Sequence, residues 1–513
     1  MPFFKATLLF FCLFLPLEVL SQKVKKEDPP DQPLRIEIPV KTDKETYRIL
    51  PCDSSGLVLF FKSTEQGEES RTKWYFSFYN PNFQVSWTKG ILLDENMEYR
   101  FSEYHQDTLV FLFCNTGKKK GKGPDYQVLR ALLVKGTFIL NQGTLPDNAE
   151  VVFFSTAHRQ SWLGLQLKNE SGQLLSLNLT TGNRKIFPLG EGNQIFLRWL
   201  SADSSGLFAK AIVTRQTSKK SWENYLVQYD STGKIQREIS LGNTIPDRNY
   251  TGFQMYTRNE KDIILGTYGI SGAKESSGLF SNSISAGIAK NSSFYNFLDL
   301  KHAGNLLSEK DVISLKKKAL KKNKTGKEYP LDFTLLLHKI LSWKNDYILC
   351  GEVYSPQYHT ENFTDFDFYG RPYSNAYSVF DGYRFTHALI AGFSQDGQLR
   401  WDNTLDVRNL VSFELNTKVC VFPSGENMVL CYLSDGRIGF KIIHEREEVE
   451  KTDFIPVDML LTGDKLISET RSRMIPWYGT YFLCSGYQDI KNVALDNNNR
   501  RMVFYFTKIR FEE

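Results

Sequence analysis

The densest run of side chains able to do chemistry lies between Ser355 and Thr386, SPQYHTENFTDFDFYGRPYSNAYSVFDGYRFT. It interleaves Tyr358, Tyr369, Tyr373, Tyr377 and Tyr383 with His359, Asp365, Asp367, Arg371 and Asp381. Aromatic rings beside carboxylates suit a peptide or a sugar, because ring faces bury apolar area while charged groups fix orientation. These residues are the candidate ligand contacts. The same mixture also fits a loop that folds back on the body and packs its own rings. Asp365-x-Asp367 has the opening of a calcium loop, but the later ligands and the turn glycine of that motif are missing. No metal is expected there.

The second chemistry is positive charge. Lysines cluster at Lys118, Lys119 and Lys120, at Lys219 and Lys220, and at Lys316, Lys317 and Lys318. Ser308 can cap a helix that runs to about residue 322 and carries the last cluster. Gathered on one face, these charges would draw an acidic polysaccharide, lipid head groups or an acidic protein. Lysines that merely keep an aromatic-rich chain soluble account for them equally well. Nucleic acid is not expected, since the chain shows no recognised binding fold.

Catalytic motifs are missing. There is no G-x-S-x-G elbow, H-E-x-x-H, P-loop or clustered C-x-x-C, and no cofactor is implied. A glycosidase built on repeats would pair carboxylates from different units, which sequence spacing does not reveal.

The elements that must position these residues are strands. The chain has 513 residues, 41% hydrophobic and 14% aromatic, with a formal net charge of +5. Strand–turn–strand runs recur, as in YLVQYDSTGKIQREISL from Tyr225 and ALIAGFSQDGQLRWDNTL from Ala388. Their Asp, Asn and Gly residues supply the positive φ angles of tight hairpins. A further strand precedes each hairpin, and Cys114, Cys350, Cys431 and Cys484 fall in it, where sister repeats place Gly or Ala. Their spacing follows the repeat rather than a metal motif. Cys420 and Cys431 fall opposite each other on adjacent strands, which makes a disulfide between them a possibility in an oxidising compartment.

Four strands in 40 to 60 residues leave no room for crossover helices. The expected fold is an all-β propeller of eight four-stranded blades, with seven as the alternative. The blades fall near 47–94, 100–142, 150–190, 196–242, 252–300, 333–407, 411–459 and 470–513. The last is one strand short, and Leu34–Val40 should complete it and close the ring, removing open edges. Insertions at about 301–331 and 355–386 should emerge on one face of the disc, the face of the B–C and D–A connections. Before the propeller (34–513), residues 1–21 read as a secretory signal, with an apolar core too short to span a bilayer, and 22–33 as a flexible leader. Export to the periplasm or cell surface is expected, with no membrane-spanning segment in the mature chain.

Two resemblances sit on quoted residues. Asp230–Gly233 (DSTG) and Gly397–Trp401 (GQLRW) look like degenerate forms of the repeat in quinoprotein-like eight-bladed propellers, with nothing to support a bound quinone. DYILCGEVYSPQY, followed by FDGYRFTHALIAGFSQDGQLRWDN (Phe380 to Asn403), resembles uncharacterised exported propeller-like proteins of Bacteroidota. That likeness covers the sixth unit, implies export and a propeller, and brings no activity or site residues. The function expected is binding or scaffolding of a protein or polysaccharide partner through the long-loop face. The alternative is a carbohydrate-active hydrolase or lyase with carboxylates in the central channel.

Overall fold

The computed structural model describes residues 31–40 and 46–511, apart from 67–69, 117–123, 169–170, 191–193, 219–220, 244–247, 260, 271–272, 303–312, 316, 319–330, 367, 445–446, 449–452 and 495–499. The expected signal peptide, residues 22–30 of the expected leader, Lys118, Lys119, Lys120, Lys219, Lys220, Lys316 and Asp367 therefore lie outside the described residues, and residues 31–33, expected as flexible leader, are instead the start of a strand.

The strands form eight antiparallel sheets in sequence order. Each is a four-stranded blade, although in three blades one strand is broken into two pieces against the same neighbour. The fold is the β-propeller expected from the repeat, with eight blades rather than seven. Strands A of blades 2 to 6 touch in turn, as do those of blades 7 and 8, as strands around a central axis should.

Burial follows strand position. In blade 2, strand B (Thr108–Asn115) is buried along nearly its whole length, because both faces of the sheet meet a neighbouring blade. In blade 1, strand D (Val85–Asp94) is mostly exposed at the rim. The aromatic excess fills the seams. Between blades 1 and 2, Phe60 lies at 5.1 Å from Phe111 in an edge contact, and Trp74 at 4.9 Å from Phe113. Such rings bury large area, and edge contacts add about 0.5–1.5 kcal/mol each. The cysteines of the B strands, Cys114, Cys350, Cys431 and Cys484, are all buried in these seams.

The N-terminal strand closes the ring. Asp31–Pro39 pairs with Arg500–Arg510, and Leu34, Ile36 and Ile38 pack into the seam between blades 8 and 1. Its polar face is locked too: Glu37 takes Arg35 at 2.8 Å and Arg501 at 2.9 Å, and Arg501 also reaches Asp464 at 2.6 Å. The Arg501 guanidinium holds the Asp464 carboxyl down at about 2.

The hairpin turns of the repeat are C–D turns. Asp230 accepts from Thr232 and Lys234 N–H groups, and Gly233 takes φ +87°, which a residue with Cβ resists. The basic insertion is the D–A connection between blades 5 and 6. Of the helix expected over 308–322, residues 313–315 and 317–318 are helical, with Lys317 and Lys318 exposed. No helix among the described residues is long and apolar enough to cross a membrane.

Two expectations are corrected. Residues 355–386 are not a loop. They continue strands B (Asp346–Phe366) and C (Pro372–Ser394) of blade 6 as a paired ribbon, from Tyr354–Phe385 to Phe366–Pro372. Alternating Tyr, Phe, Thr and Val residues favour that extended pairing. Cys420 and Cys431 are direct cross-strand neighbours, yet both are free thiols, with the Cys420 sulfur turned to the Met474 carbonyl of blade 8 at 3.2 Å.

Candidate functional site

The ribbon of blade 6 is an arm. Its root is bent by bulges at Val353/Tyr354 and Gln357/Tyr358. Gly382 sits at the second, with φ +111° and the Ser412 carbonyl 3.1 Å from where a Cβ would stand. Beyond the pairs Leu335–Val353 and Tyr383–Ser412, the described residues offer the arm no third strand. Among the described residues both of its backbone edges are therefore unpaired.

Residues opposite each other in the ladder share a face. One face carries His359, Glu361, Phe363, Asp365, Tyr373 and Tyr377. Here His359 Nδ1 meets Asp381 Oδ1 at 2.6 Å, its Nε2 meets Glu361 Oε1 at 3.2 Å, and the Tyr377 hydroxyl donates to Glu361 at 2.8 Å. Hydrogen bonds to Asp381 and then Glu361 raise the His359 pKa above the ordinary imidazole value, and Tyr377 followed by His359 lowers that of Glu361. The Tyr373 hydroxyl donates to Asp365 at 3.3 Å. The other face carries Tyr358 against Phe380, then Thr360, Asn362 and Thr364. At the tip, Phe368 is 98% exposed and Tyr369 81%, and Arg371 stands over the Tyr369 ring.

Sequence-predicted contacts thus divide. His359, Asp365, Tyr373, Tyr377 and Asp381 are brought together on one side. Tyr358 lies on the other, and Tyr369 and Arg371 lie at the tip. Tyr383 is a packing residue, half-buried between Tyr354 and Phe380 at ring distances of 5.6 and 5.0 Å. The rings do not fold back as a unit onto the disc.

A second feature was not legible in the sequence. At the arm's foot a cavity of about 820 Å³ opens between blades 6, 7, 8, 1 and 2. It is bounded by the blade 6–7 connection, by the B–C turn of blade 7 at Asp435, and by the inner strands of blades 8 and 1. These connections belong to the face from which the arm rises. Arm and cavity share a wall: Phe413 lines the cavity, and its ring packs on Phe380.

Five basic residues line this cavity, Arg48, Lys62, Lys418, Arg471 and Arg473, and three of them matter most here. Arg48 begins strand A of blade 1, Lys418 directly precedes strand A of blade 7, and Arg473 lies in strand A of blade 8. Arg48 is paired with Glu414 at 2.7 Å and lies over the Tyr99 ring. Arg473 follows a bulge whose residue Arg471 adopts φ +52°, a strained angle for a non-glycine residue. Burial lowers the Arg473 pKa; Tyr99 and Glu414 oppose that, and the nearby Arg48 adds to it. Burial and then the Arg473 charge push the Lys418 ammonium down to about 8, against the pull of Glu414 and Glu352.

Lys418 is fixed through its backbone. Its N–H and that of Val419 donate to the Glu352 carboxylate at 2.8 Å each, and His338 Nε2 lies 2.6 Å from the same carboxylate. Glu352 is only 1% exposed, so these donors replace its lost water. The other carboxylates at the cavity are mostly engaged. Lys62 holds Glu98 at 2.7 Å, and Glu469 accepts from Tyr505, Gln488 and the Gly436 N–H. Among the described residues no group of three or more His, Cys, Asp or Glu could hold a metal ion. The cavity cations come from three blades far apart in sequence. They share no sequence signal: Arg48 begins its strand and Lys418 precedes one, but Arg473 lies in the last third of Lys465–Pro476.

No family model and no curated protein matches the chain. Solved structures do. The chain is similar to a prolyl endopeptidase studied for inter-domain dynamics (TM-score 0.38, 10% identity, 88% of this chain and 54% of that one). It thus spans about half of that protein. It is similar to the β-propeller domain of the Trilobed protease from Pyrococcus furiosus, described as having an open velcro topology (TM-score 0.35, 8% identity, 79% of this chain and 97% of that one). It is also similar to the periplasmic gluconolactonase of Pseudomonas aeruginosa (TM-score 0.37, 12% identity, 80% of this chain and 96% of that one). These likenesses concern fold alone, and the propeller assignment rests on the eight sheets themselves.

Proposed function

We propose that this chain is an exported binding or scaffolding propeller whose blade 6 arm engages a polypeptide partner. One observation carries the reading: the arm is a two-stranded ribbon with open edges and exposed rings at its tip. A lone two-stranded ribbon is marginal in water, and open edges are templates for a further strand. A partner chain adding to an edge supplies main-chain hydrogen bonds, while Phe363, Tyr373 and Tyr377 offer ring faces beside the added strand. Lys317 and Lys318, exposed on the D–A connection of the same face, favour an acidic partner by steering its approach.

The engaged state of the cavity carboxylates favours binding over hydrolysis or lysis, since acid–base catalysis on a sugar needs two carboxyl groups free to reach one bond. Replacement of residues 355–386 by a short Gly/Ser linker tests the proposal. Partner recovery by cross-linking and pull-down from the envelope of the native host should fall to background while the melting temperature holds. Unchanged recovery overturns the reading, and a glycan-array signal lost with the arm would transfer it to a polysaccharide.

A further inference from the structure

We propose that the cavity at the arm's foot is a carboxylate-binding site, which takes an acidic side chain or C-terminal carboxylate of a polypeptide lying along the arm. Three observations carry it. First, Lys418 and Arg473 reach the same cavity, and among the described residues neither has a hydrogen-bonding or ion-pairing carboxylate of its own. Lys418 is 6% exposed; among the described residues its ammonium lies over the Phe385 ring at 5.9 Å, and Glu414 and Glu352 act on it through space without a direct pair. A buried cation without an anion is costly, and two that repel each other are costlier. The site is therefore poised for an incoming negative group.

Second, the backbone that carries these two cations is fixed. Glu352 grips the backbone at Lys418 and Val419, and Arg473 is set by the bulge in its strand. A preorganised donor pair loses little freedom on binding. The nearby acids offset them only in part. Glu414 is committed to Arg48, burial raises the Glu469 pKa while three donors hold its carboxyl, and Asp435 is exposed at a turn.

Third, the cavity is continuous with the arm through Phe413 and Phe380. A strand added to the arm would run toward the cavity, and the aromatic rim suits the chain beside the acid. The identity of the ligand as polypeptide rests on the function proposed above. The preference for a carboxylate does not.

The test uses the intact protein and two fluorescein-labelled decapeptides, one alternating Glu and Tyr and one alternating Gln and Tyr, read by fluorescence anisotropy. The Glu peptide should bind at least tenfold more tightly, and the ratio should shrink steeply between 50 and 300 mM salt. Lys418→Met and Arg473→Gln should each cut the ratio about tenfold, whereas Lys418→Arg keeps it. Lys418→Arg also guards against loss of folding, because it preserves charge and backbone contacts. In protein with the arm replaced, both peptides should bind more weakly while the Glu/Gln ratio persists. Equal binding of the two peptides, or variants that leave the ratio unchanged, overturns the site. Competition by oligogalacturonate but not by the Glu peptide overturns the polypeptide assignment.

Discussion

The Phe380 ring, at the root of the arm, meets the Phe413 ring, at the rim of the cavity, edge-on with centroids 6.1 Å apart and planes at 80°. This contact joins the two features of the functional face. Phe413 is 71% exposed, so little core packing depends on it. Phe413→Ala should leave global stability within about 0.5 kcal/mol. It should loosen the arm by the worth of one edge contact, so amide exchange across residues 372–382 should quicken roughly two- to tenfold. Exchange confined to its original rate would show that the arm is held elsewhere.

Ring closure should dominate stability. Glu37 is buried between Arg35 and Arg501, and Glu37→Gln leaves both guanidinium groups short of an anion. Breaking a buried pair costs about 3–5 kcal/mol. The expected loss is about 3 kcal/mol by urea denaturation, at the low end because Arg501 keeps Asp464. Removing residues 31–40 should lower the melting temperature further and promote aggregation through the freed edge of Arg500–Arg510.

His338 ties stability to pH. Burial opposes its charge, but Cys350 and Glu352 beside the ring outweigh that and raise its pKa well above the usual 6.5. The folded pKa thus exceeds the unfolded one. The stabilisation is complete below the unfolded value near 6.5 and is lost as pH rises through the raised folded value. Melting temperatures followed from pH 6 upward should decline, and His338→Gln should flatten that decline. A steeper decline in the variant would contradict the assignment.

Lys418 ties binding to pH. Its ammonium faces Arg473 on blade 8, Glu414 on the blade 6–7 connection, and Glu352 on strand B of blade 6, itself beside His338. With a free value of about 8, the lysine is charged at pH 6 and largely neutral at pH 9. Affinity for the Glu peptide should hold below pH 7 and fall as pH passes 8, while the Lys418→Arg protein stays flat over that range. A parallel fall in both proteins would assign the titration to another group.

The six described cysteines should be silent thiols. All are buried, and burial pushes Cys52 and Cys114 up to about 12. A thiol reagent at pH 8 should find none of these six in the native protein and all of them after unfolding without reductant. Four rather than six would restore the Cys420–Cys431 disulfide.

The eight blades were legible because each repeat writes its own local signals. Asp230-Ser231-Thr232-Gly233 marks a C–D turn by itself, and the buried B strands stand out as apolar runs such as TLVFLFC from Thr108. The closing role of Leu34–Val40 followed from counting strands. The aromatic run from Tyr358 was also visible, but not its form. Whether alternating Tyr, Thr and Phe residues coil back or extend depends on the pairing of Glu361 with Tyr377 and Phe363 with Asn375, which only register decides.

The cavity belonged wholly to tertiary structure. Arg48, Lys418 and Arg473 are ordinary basic residues in sequence, hundreds of positions apart at the extremes. Ring closure sets blade 8 against blade 1 and so brings Arg473 near Arg48, and Glu352 pins Lys418 beside them. Sequence by itself determined the architecture, since strands and turns are encoded within a few residues. It could not determine the site, since the charges that make it meet only between blades that the closed ring sets side by side.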